Sequence, residues 1–484
     1  MAGYLNETPS GSRIKHVVAH TASLKKKKNP FLFDPVIRTV IVKNQKIILV
    51  QRMAAKDCAE KKKERFHVID SPFTTAVRED VAVRGVYSLI VGFLSFHLLS
   101  MSYKYYHIDG LLQSDIDFLK KAFSQFHWVI VSELALMATF FAMILPVVRF
   151  RMQDKIHPTL FHLHLVVSAL LMVIIPMYIR YAMDLHVVAA VAVIFEQIRY
   201  AMKAISFVVE NEKIREEDGL QLPTRDSSVY FLFAPTLIYQ PSYPVREGRD
   251  WKNIACWTLE IIALIWSTLT VINHGFMDAF DVVGTRPLTT DEWCTVFVQS
   301  AVLALHVMVG IGYGFLHCWN NIWGELIYFG DRTFYKNFFS SDNLYTMFNK
   351  WNFLIHSWIA EYLFKPAIKW TGSVTAAGIY AFLVSMMFHD YAVAVPLRLW
   401  SIQFTATMIT ASLMLPIFLA VRDFLIKHPF PSTLNAHVFF LICMGSTNVV
   451  MTVSLMFFAQ HNCPHDEVTF SDLIRSTPHA PTCI

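Results

Sequence analysis

Charge is what this sequence has least of. Asp, Glu, Lys and Arg make up 16% of its 484 residues, where a soluble domain runs to about 25%. With 54% apolar residues and a mean hydropathy of +0.41, there is more apolar surface than one or two soluble cores could hide, and the chain reads as an all-α polytopic membrane protein. Its 17 glycines and 20 prolines are too few for a fibrous or low-complexity chain. Seven cysteines are too few for a disulfide scaffold. Residues 1–83 also lack any apolar run, because the stretch 36–50 is interrupted by Arg38, Lys43 and Lys46. No amino-terminal signal peptide is expected, and the first span should act as an internal anchor.

The net charge of +5 is unevenly placed: residues 1–83 carry 16 Lys and Arg against 8 Asp and Glu, a balance of +8, so the rest of the chain sums to −3. The lysine runs at 25–28 and 61–63 are read as a cytoplasmic retention signal ahead of the first span rather than as a nucleic-acid patch, and no nucleic-acid partner is expected. A span needs about 20 mostly apolar residues. Such windows lie at 85–103, 126–148, 160–179, 186–207, 254–273, 295–317, 371–396, 399–421 and 436–459. About nine spans place the termini on opposite sides, with the basic amino terminus cytosolic. The even-numbered exits then carry Arg149, Arg151 and Lys155, Lys213 and Arg215, the stretch from Arg332 to Lys369, and Arg422 with Lys427, as the positive-inside rule requires. The expected organisation is a polar basic cytosolic region at 1–83, a membrane-embedded domain at 84–459 and a lumenal tail at 460–484.

On this topology Cys463 and Cys483 are the only two cysteines in an oxidising compartment. A disulfide between them would close a loop of roughly 20 residues and contribute a few kcal/mol. Cys58, Cys256, Cys294, Cys318 and Cys443 are expected as free thiols, and the sequon at Asn6 should stay unmodified on the cytosolic side. Two stretches, 208–253 and 318–370, are too long, aromatic and apolar for exposed connectors and are expected to lie on the bilayer or dip into it.

Polar groups inside apolar windows mark candidate chemistry because they are costly there. These are Glu133, His162, His164, Glu196, Glu260, His306, His389 and Asp390. His162 and His164 lack further ligands at metal-binding spacing, so no metal is expected. Glu133 and Glu260 sit in the first turns of their spans and are read as reaching an interface or a helix start. His306, alone in mid-span, is read as bonded to a neighbouring helix. His389 follows an uncharged stretch from Thr371 to Phe388, which would carry its imidazole some 20–25 Å into a bilayer at about 1.5 Å per residue. A buried neutral imidazole is a suitable base for a hydroxyl, and a structural histidine bonded to a neighbouring helix is the alternative. Asp390 faces elsewhere, whereas Ser385, four residues earlier, shares the face of His389. The segment from Lys350 to Trp358 places Asn352 and His356 at i, i+4, where a helix would present amide and imidazole together, and an amide can donate to a developing oxyanion.

A Trp-Asn-x3-His-x-Trp segment followed by Ser385-x3-His389-Asp390-Tyr391 in an apolar helix resembles the membrane-bound O-acyltransferase superfamily, and more closely its sterol and diacylglycerol O-acyltransferase branch. Phe233-Ala-Pro-Thr-Leu-Ile-Tyr239 is similar to that branch's Ala-Pro-Thr-Leu-x-Tyr motif. Glu196-Gln-Ile-Arg-Tyr-Ala-Met-Lys203 with Ser206, Phe207, Glu210 and Asn211 is similar to the sterol-acylating members. So is the tail around His461-Asn-Cys-Pro464, Asp472, Arg475 and Cys483.

The resemblance implies a fold enclosing a central chamber in the endoplasmic reticulum membrane. It implies His389 as base and Asn352 in support, long-chain acyl-CoA entering from the cytosol, a membrane sterol or other lipid alcohol entering from the bilayer, and no cofactor. Ser385, His356, Tyr335 and Asn337 are the expected acyl-CoA contacts, and a homodimer or dimer of dimers is the expected assembly. Three departures stand out, one of them Asp390 where the family usually has Glu after the histidine. The family's Phe-Tyr-x-Asp-Trp-Trp-Asn motif is here Phe334-Tyr-Lys-Asn-Phe-Phe-Ser340, which keeps aromatic bulk but removes a charge, two indole donors and an amide. Val395-Pro-Leu-Arg398 looks more like the diacylglycerol branch. The expectation is therefore a sterol acyltransferase, with a diacylglycerol acyltransferase or a catalytically silent lipid-binding homologue as alternatives.

Overall fold

The computed structural model describes residues 65–104, 112–216, 222–272, 286–338, 341, 344–398, 405–406 and 409. The described residues from 66 onward belong to one compact unit. The expected span at 436–459, that at 399–421 apart from residues 405, 406 and 409, and the cysteines at 58, 443, 463 and 483 fall outside the described residues, whereas Cys256, Cys294 and Cys318 are free thiols.

The described residues are mostly helical and contain no strand beyond two isolated bridges. The elements are α1 (Pro72–Glu79), α2 (Val81–Lys104), α3 (Leu112–Ser124), α4 (Phe126–Thr139), α5 (Leu145–Met152), α6 (Pro158–Ala182), α7 (Val187–Arg215), α8 (Arg225–Phe233), α9 (Trp251–Val271), α10 (Thr290–Val309), α11 (Asn320–Leu326), α12 (Leu344–Trp351), α13 (Phe353–Ile359), α14 (Lys365–Thr371) and α15 (Val374–Leu397). Among the described residues, five helical stretches are long and apolar enough to cross a membrane: Val81–Lys104, Leu119–Met152, Pro158–Ala182, Trp251–Val271 and Val374–Leu397. The windows expected at 186–207 and 295–317 are helical too. The first, however, carries Glu196, Arg199 and Lys203 within α7, so its apolar character is broken by groups that need partners. Bulky apolar side chains on the long helices face outward, as with Leu89 at 73% and Phe96 at 76% exposure, which a bilayer would cover.

Wide π-turns interrupt the helices at Phe140–Ile144, Gly310–Trp319 and Ala360–Phe364. The second of these is glycine-rich for a steric reason. A Cβ on Gly312 would stand 3.0 Å from Trp351 Cζ3, so the missing side chain lets Trp351, next to Asn352, pack against the π-turn.

The stretch before the first span is tied into this unit. Ile69 N donates to the Gly330 carbonyl at 3.1 Å and Arg332 N to the Ile69 carbonyl at 2.9 Å. Asp70 accepts from Arg78 at 2.6 Å and also pairs with Arg246. Burial works to raise the Asp70 pKa, but the two guanidiniums outweigh it and hold the carboxyl below its usual range. Arg332, 1% exposed, donates to the carbonyls of Phe329 (2.7 Å) and Asn321 (3.2 Å) and pairs with Glu325.

Candidate active site

Helix α7 organises the polar interior, with Arg199, Lys203 and Ser206 reaching other segments. Arg199 donates to Glu133 of α4 at 3.0 Å, to Glu196 at 2.7 Å and to the Leu232 carbonyl at 2.7 Å. Tyr200 OH adds a bond to Glu133 at 2.9 Å. Glu133 is therefore half of a two-carboxylate clasp on Arg199 rather than a residue reaching an interface. Lys203, 1% exposed, donates to the carbonyls of Phe231 (2.5 Å) and Ala234 (2.8 Å), with its ammonium 4.7 Å from the Phe231 ring centre. These carbonyls belong to the end of α8 and the turn into Ala234-Pro-Thr-Leu, where the chain leaves the helix and needs outside donors. One turn on, Ser206 Oγ accepts from Tyr239 N at 2.7 Å. The Glu196 and Ala-Pro-Thr-Leu motifs, separate in sequence, are two sides of one contact.

The same helix holds both segments that carry the expected chemistry. Asn352 is the N-cap of α13, with Oδ1 accepting from Ile355 N at 3.2 Å. It thus precedes the helix rather than lying on it, although its carbonyl still accepts from His356 N at 2.9 Å. In α13, Trp358 Nε1 donates to the Met202 carbonyl at 2.9 Å. Tyr362 OH bonds Ser206 Oγ at 2.9 Å and Glu210 at 2.7 Å, and Lys213 bridges Glu210 and Glu361 at 3.0 and 2.9 Å. His356 is half-buried; burial and then the charge of Lys336 push its pKa down, so the imidazole is neutral at neutral pH. Lys336 sits with its ammonium 3.9 Å from the Phe353 ring centre.

His389 is exposed on α15 and its Nδ1 lies 2.7 Å from the Ser385 carbonyl. A carbonyl only accepts, so Nδ1 carries the proton and Nε2 is the basic nitrogen. It is the backbone of Ser385, not its hydroxyl, that makes this contact. Asp390 is buried on another face, as its sequence position implied, and accepts from Thr405 N at 3.2 Å and from the Thr405 hydroxyl. Tyr391 OH donates to Gln197 of α7 at 2.7 Å. Asn352 and His389 share no hydrogen bond; α7 bonds both of their helices, through Met202 and Gln197.

The remaining candidates have local partners. His164 Nε2 lies 3.2 Å from the Met143 carbonyl. His162 packs edge-on to Phe161. His306 Nδ1 meets the Val302 carbonyl of its own helix at 2.9 Å, not a neighbouring helix. Glu260 accepts from Tyr87 OH, from Tyr313 OH at 2.9 Å and from Cys318 at 3.4 Å, which binds α2, α9 and the Gly310–Trp319 turn together instead of reaching an interface. No group of three or more His, Cys, Asp or Glu among the described residues could hold a metal.

Within the divergent 334–340 motif, Phe334, Tyr335 and Phe338 are core residues. Tyr335 is 3% exposed, with its OH 2.8 Å from His317 Nδ1. Phe338 meets Trp351 edge-on at 5.7 Å. Asn337 is exposed, and positions 339 and 340 lie outside the described residues.

The described residues make a helical framework with five stretches long and apolar enough to cross a membrane and with polar residues gathered around α7, and comparison with known proteins narrows the class. No protein-family model matches the chain. It is 27% identical over 422 residues to sterol O-acyltransferase 1 of Macaca fascicularis, covering 83% of this chain and 74% of that protein. It is 26% identical to sterol O-acyltransferase 1 of Mus musculus, with 83% and 76% covered. It is 25% identical to sterol O-acyltransferase 2 of Homo sapiens over 329 residues, with 66% and 61% covered. These similarities support the sterol O-acyltransferase branch of the membrane-bound O-acyltransferase superfamily.

Proposed function

We propose that the protein is an acyl-CoA-dependent O-acyltransferase of the endoplasmic reticulum membrane that esterifies the 3-hydroxyl of a cholesterol-like sterol. The observation that carries this reading is the similarity to sterol O-acyltransferases across 83% of the chain, which spans the Glu196, Ala-Pro-Thr-Leu, Asn352 and His389 motifs. About nine spans, a central chamber, a cytosolic amino terminus, a lumenal tail closed by Cys463 and Cys483, and a dimeric or tetrameric assembly complete the picture.

In the reaction, Nε2 of His389 takes the proton of the sterol hydroxyl as its oxygen attacks the thioester carbonyl. The Asn352 amide N–H, whose Oδ1 is engaged in capping, donates to the oxyanion that develops. Collapse of the tetrahedral intermediate breaks the C–S bond, and the proton on Nε2 passes to the departing CoA sulfur. Atoms balance without a metal or cofactor. A water-poor setting favours the sterol over water as acceptor. Lys336 and Lys350 near Asn352 suit an anionic co-substrate, and His356, neutral beside them, can take part as a hydrogen-bonding group.

Val395-Pro-Leu-Arg398 favours a second reading, diacylglycerol as the acceptor. Microsomes offered labelled acyl-CoA with cholesterol and diacylglycerol together separate the two: steryl ester supports the first reading, and triacylglycerol alone replaces it with the second.

A further inference from the structure

Each imidazole of the proposed site is followed two residues later by an aromatic side chain whose polar atom reaches α7. The units are His356-Ser357-Trp358 and His389-Asp390-Tyr391. Trp358 Nε1 donates to the Met202 carbonyl at 2.9 Å, and Tyr391 OH to Gln197 Oε1 at 2.7 Å. Two residues turn a helix by about 200°. An aromatic pinned to α7 therefore turns the preceding imidazole to the far side of its own helix, in agreement with a half-buried Tyr391 and an exposed His389.

The two docking points, Gln197 and Met202, are five residues apart, about 7.5 Å along the α7 axis at 1.5 Å per residue. Asn352 caps the helix that carries Trp358, so the same pin fixes the height of its amide. Toward α7 the two ends are not equally secured. The α13 end is fastened again by Tyr362, bonded to Ser206 and Glu210. On α15, the Gln197 bond is the polar tie from Tyr391 to α7.

We infer that α7 is a spacer that sets the separation of Asn352 and His389, and that Tyr391, through Gln197, is a positioning residue for the base. This rests on the acyltransferase reading above. Reacting groups lose rate steeply when displaced, roughly 100-fold for about 1 Å, so a tie that fixes the height of His389 acts on turnover rather than on substrate capture.

The test uses the full chain in microsomes with labelled acyl-CoA and cholesterol. Tyr391→Phe removes one hydroxyl and Gln197→Met removes its acceptor at similar length. Each is expected to lower kcat roughly 10- to 100-fold with the KM for acyl-CoA within about twofold, and the double variant should be no slower than the slower single, because both remove one bond. Gln197→Glu keeps an acceptor and should stay within about threefold of wild type, which also serves if Gln197→Met fails to accumulate. Undiminished kcat in Tyr391→Phe, losses that multiply in the double variant, or a change confined to KM would overturn the positioning role while leaving the acyltransferase reading standing. A wild-type protein that transfers no acyl group would overturn both.

Discussion

His306 on α10 and His389 on α15 make the same local bond. Each has Nδ1 against the carbonyl four residues earlier, at 2.9 and 2.7 Å, and each lies within a largely apolar helix. What differs is the surroundings. Beside His389, Asp390 accepts from Thr405 and Tyr391 reaches Gln197 of α7. The helix of His306 continues into the π-turn around Gly312, whose polar partners gather on Glu260. The back-bond fixes a tautomer; the ties of the flanking residues to other segments fix a position. Only the second sets the proposed base apart from an ordinary mid-helix histidine.

Substitutions of graded severity can break this comparison. His389→Ala should lower acyl transfer by about 10³-fold or more, the scale of a lost general base, while the protein stays in the membrane fraction. His306→Ala should keep activity within about twofold; equal losses in the two would remove the distinction drawn between them. Lys203→Met leaves two carbonyls without their ammonium donor and should cost on the order of 3 kcal/mol, read as a lower melting temperature of the detergent-extracted protein and loss of the Ala234 turn. Asn352→Ala removes a cap worth about 1 kcal/mol as well as the proposed oxyanion donor, so its fall in kcat should exceed what its melting temperature accounts for.

The smallest effect concerns the segment before the first span. The folded-state pKa of Asp70 lies below its ordinary value, so its pairing with Arg78 and Arg246 contributes above the ordinary carboxylate range and is lost as pH falls through the lowered value. Asp70→Asn should therefore lower the melting temperature slightly at pH 7 and progressively less as the pH is taken below about 4. A penalty that did not shrink on acidification would show that the ion pairs are not what anchors this stretch.

Much of this was legible in the sequence because apolar windows and capping residues act locally. The windows expected at 85–103, 126–148, 160–179, 254–273 and 371–396 each coincide with a helix fit to span, and Asp390 turned away from His389 as helical spacing required. What local pattern could not supply was partnership. Glu133 looked like a residue near an interface until Arg199 was seen to join it to Glu196, 63 positions later in the chain. Lys203 stood in the sequence only as the end of the Glu196 motif, yet its place is set by carbonyls 28 and 31 residues on. The place of Tyr335 in the core, bonded to His317, was not legible in the divergent motif either. The His-x-aromatic echo at His356 and His389 was visible in the sequence; that Trp358 and Tyr391 share α7 as a partner emerged only from the fold.

The central claim is most directly tested by incubating microsomes that contain the wild-type protein or His389→Ala with labelled acyl-CoA and cholesterol, and resolving the lipid products. The account predicts labelled steryl ester from wild type and none above background from an equal amount of membrane-inserted His389→Ala. Steryl ester formed at the wild-type rate by the variant would contradict it.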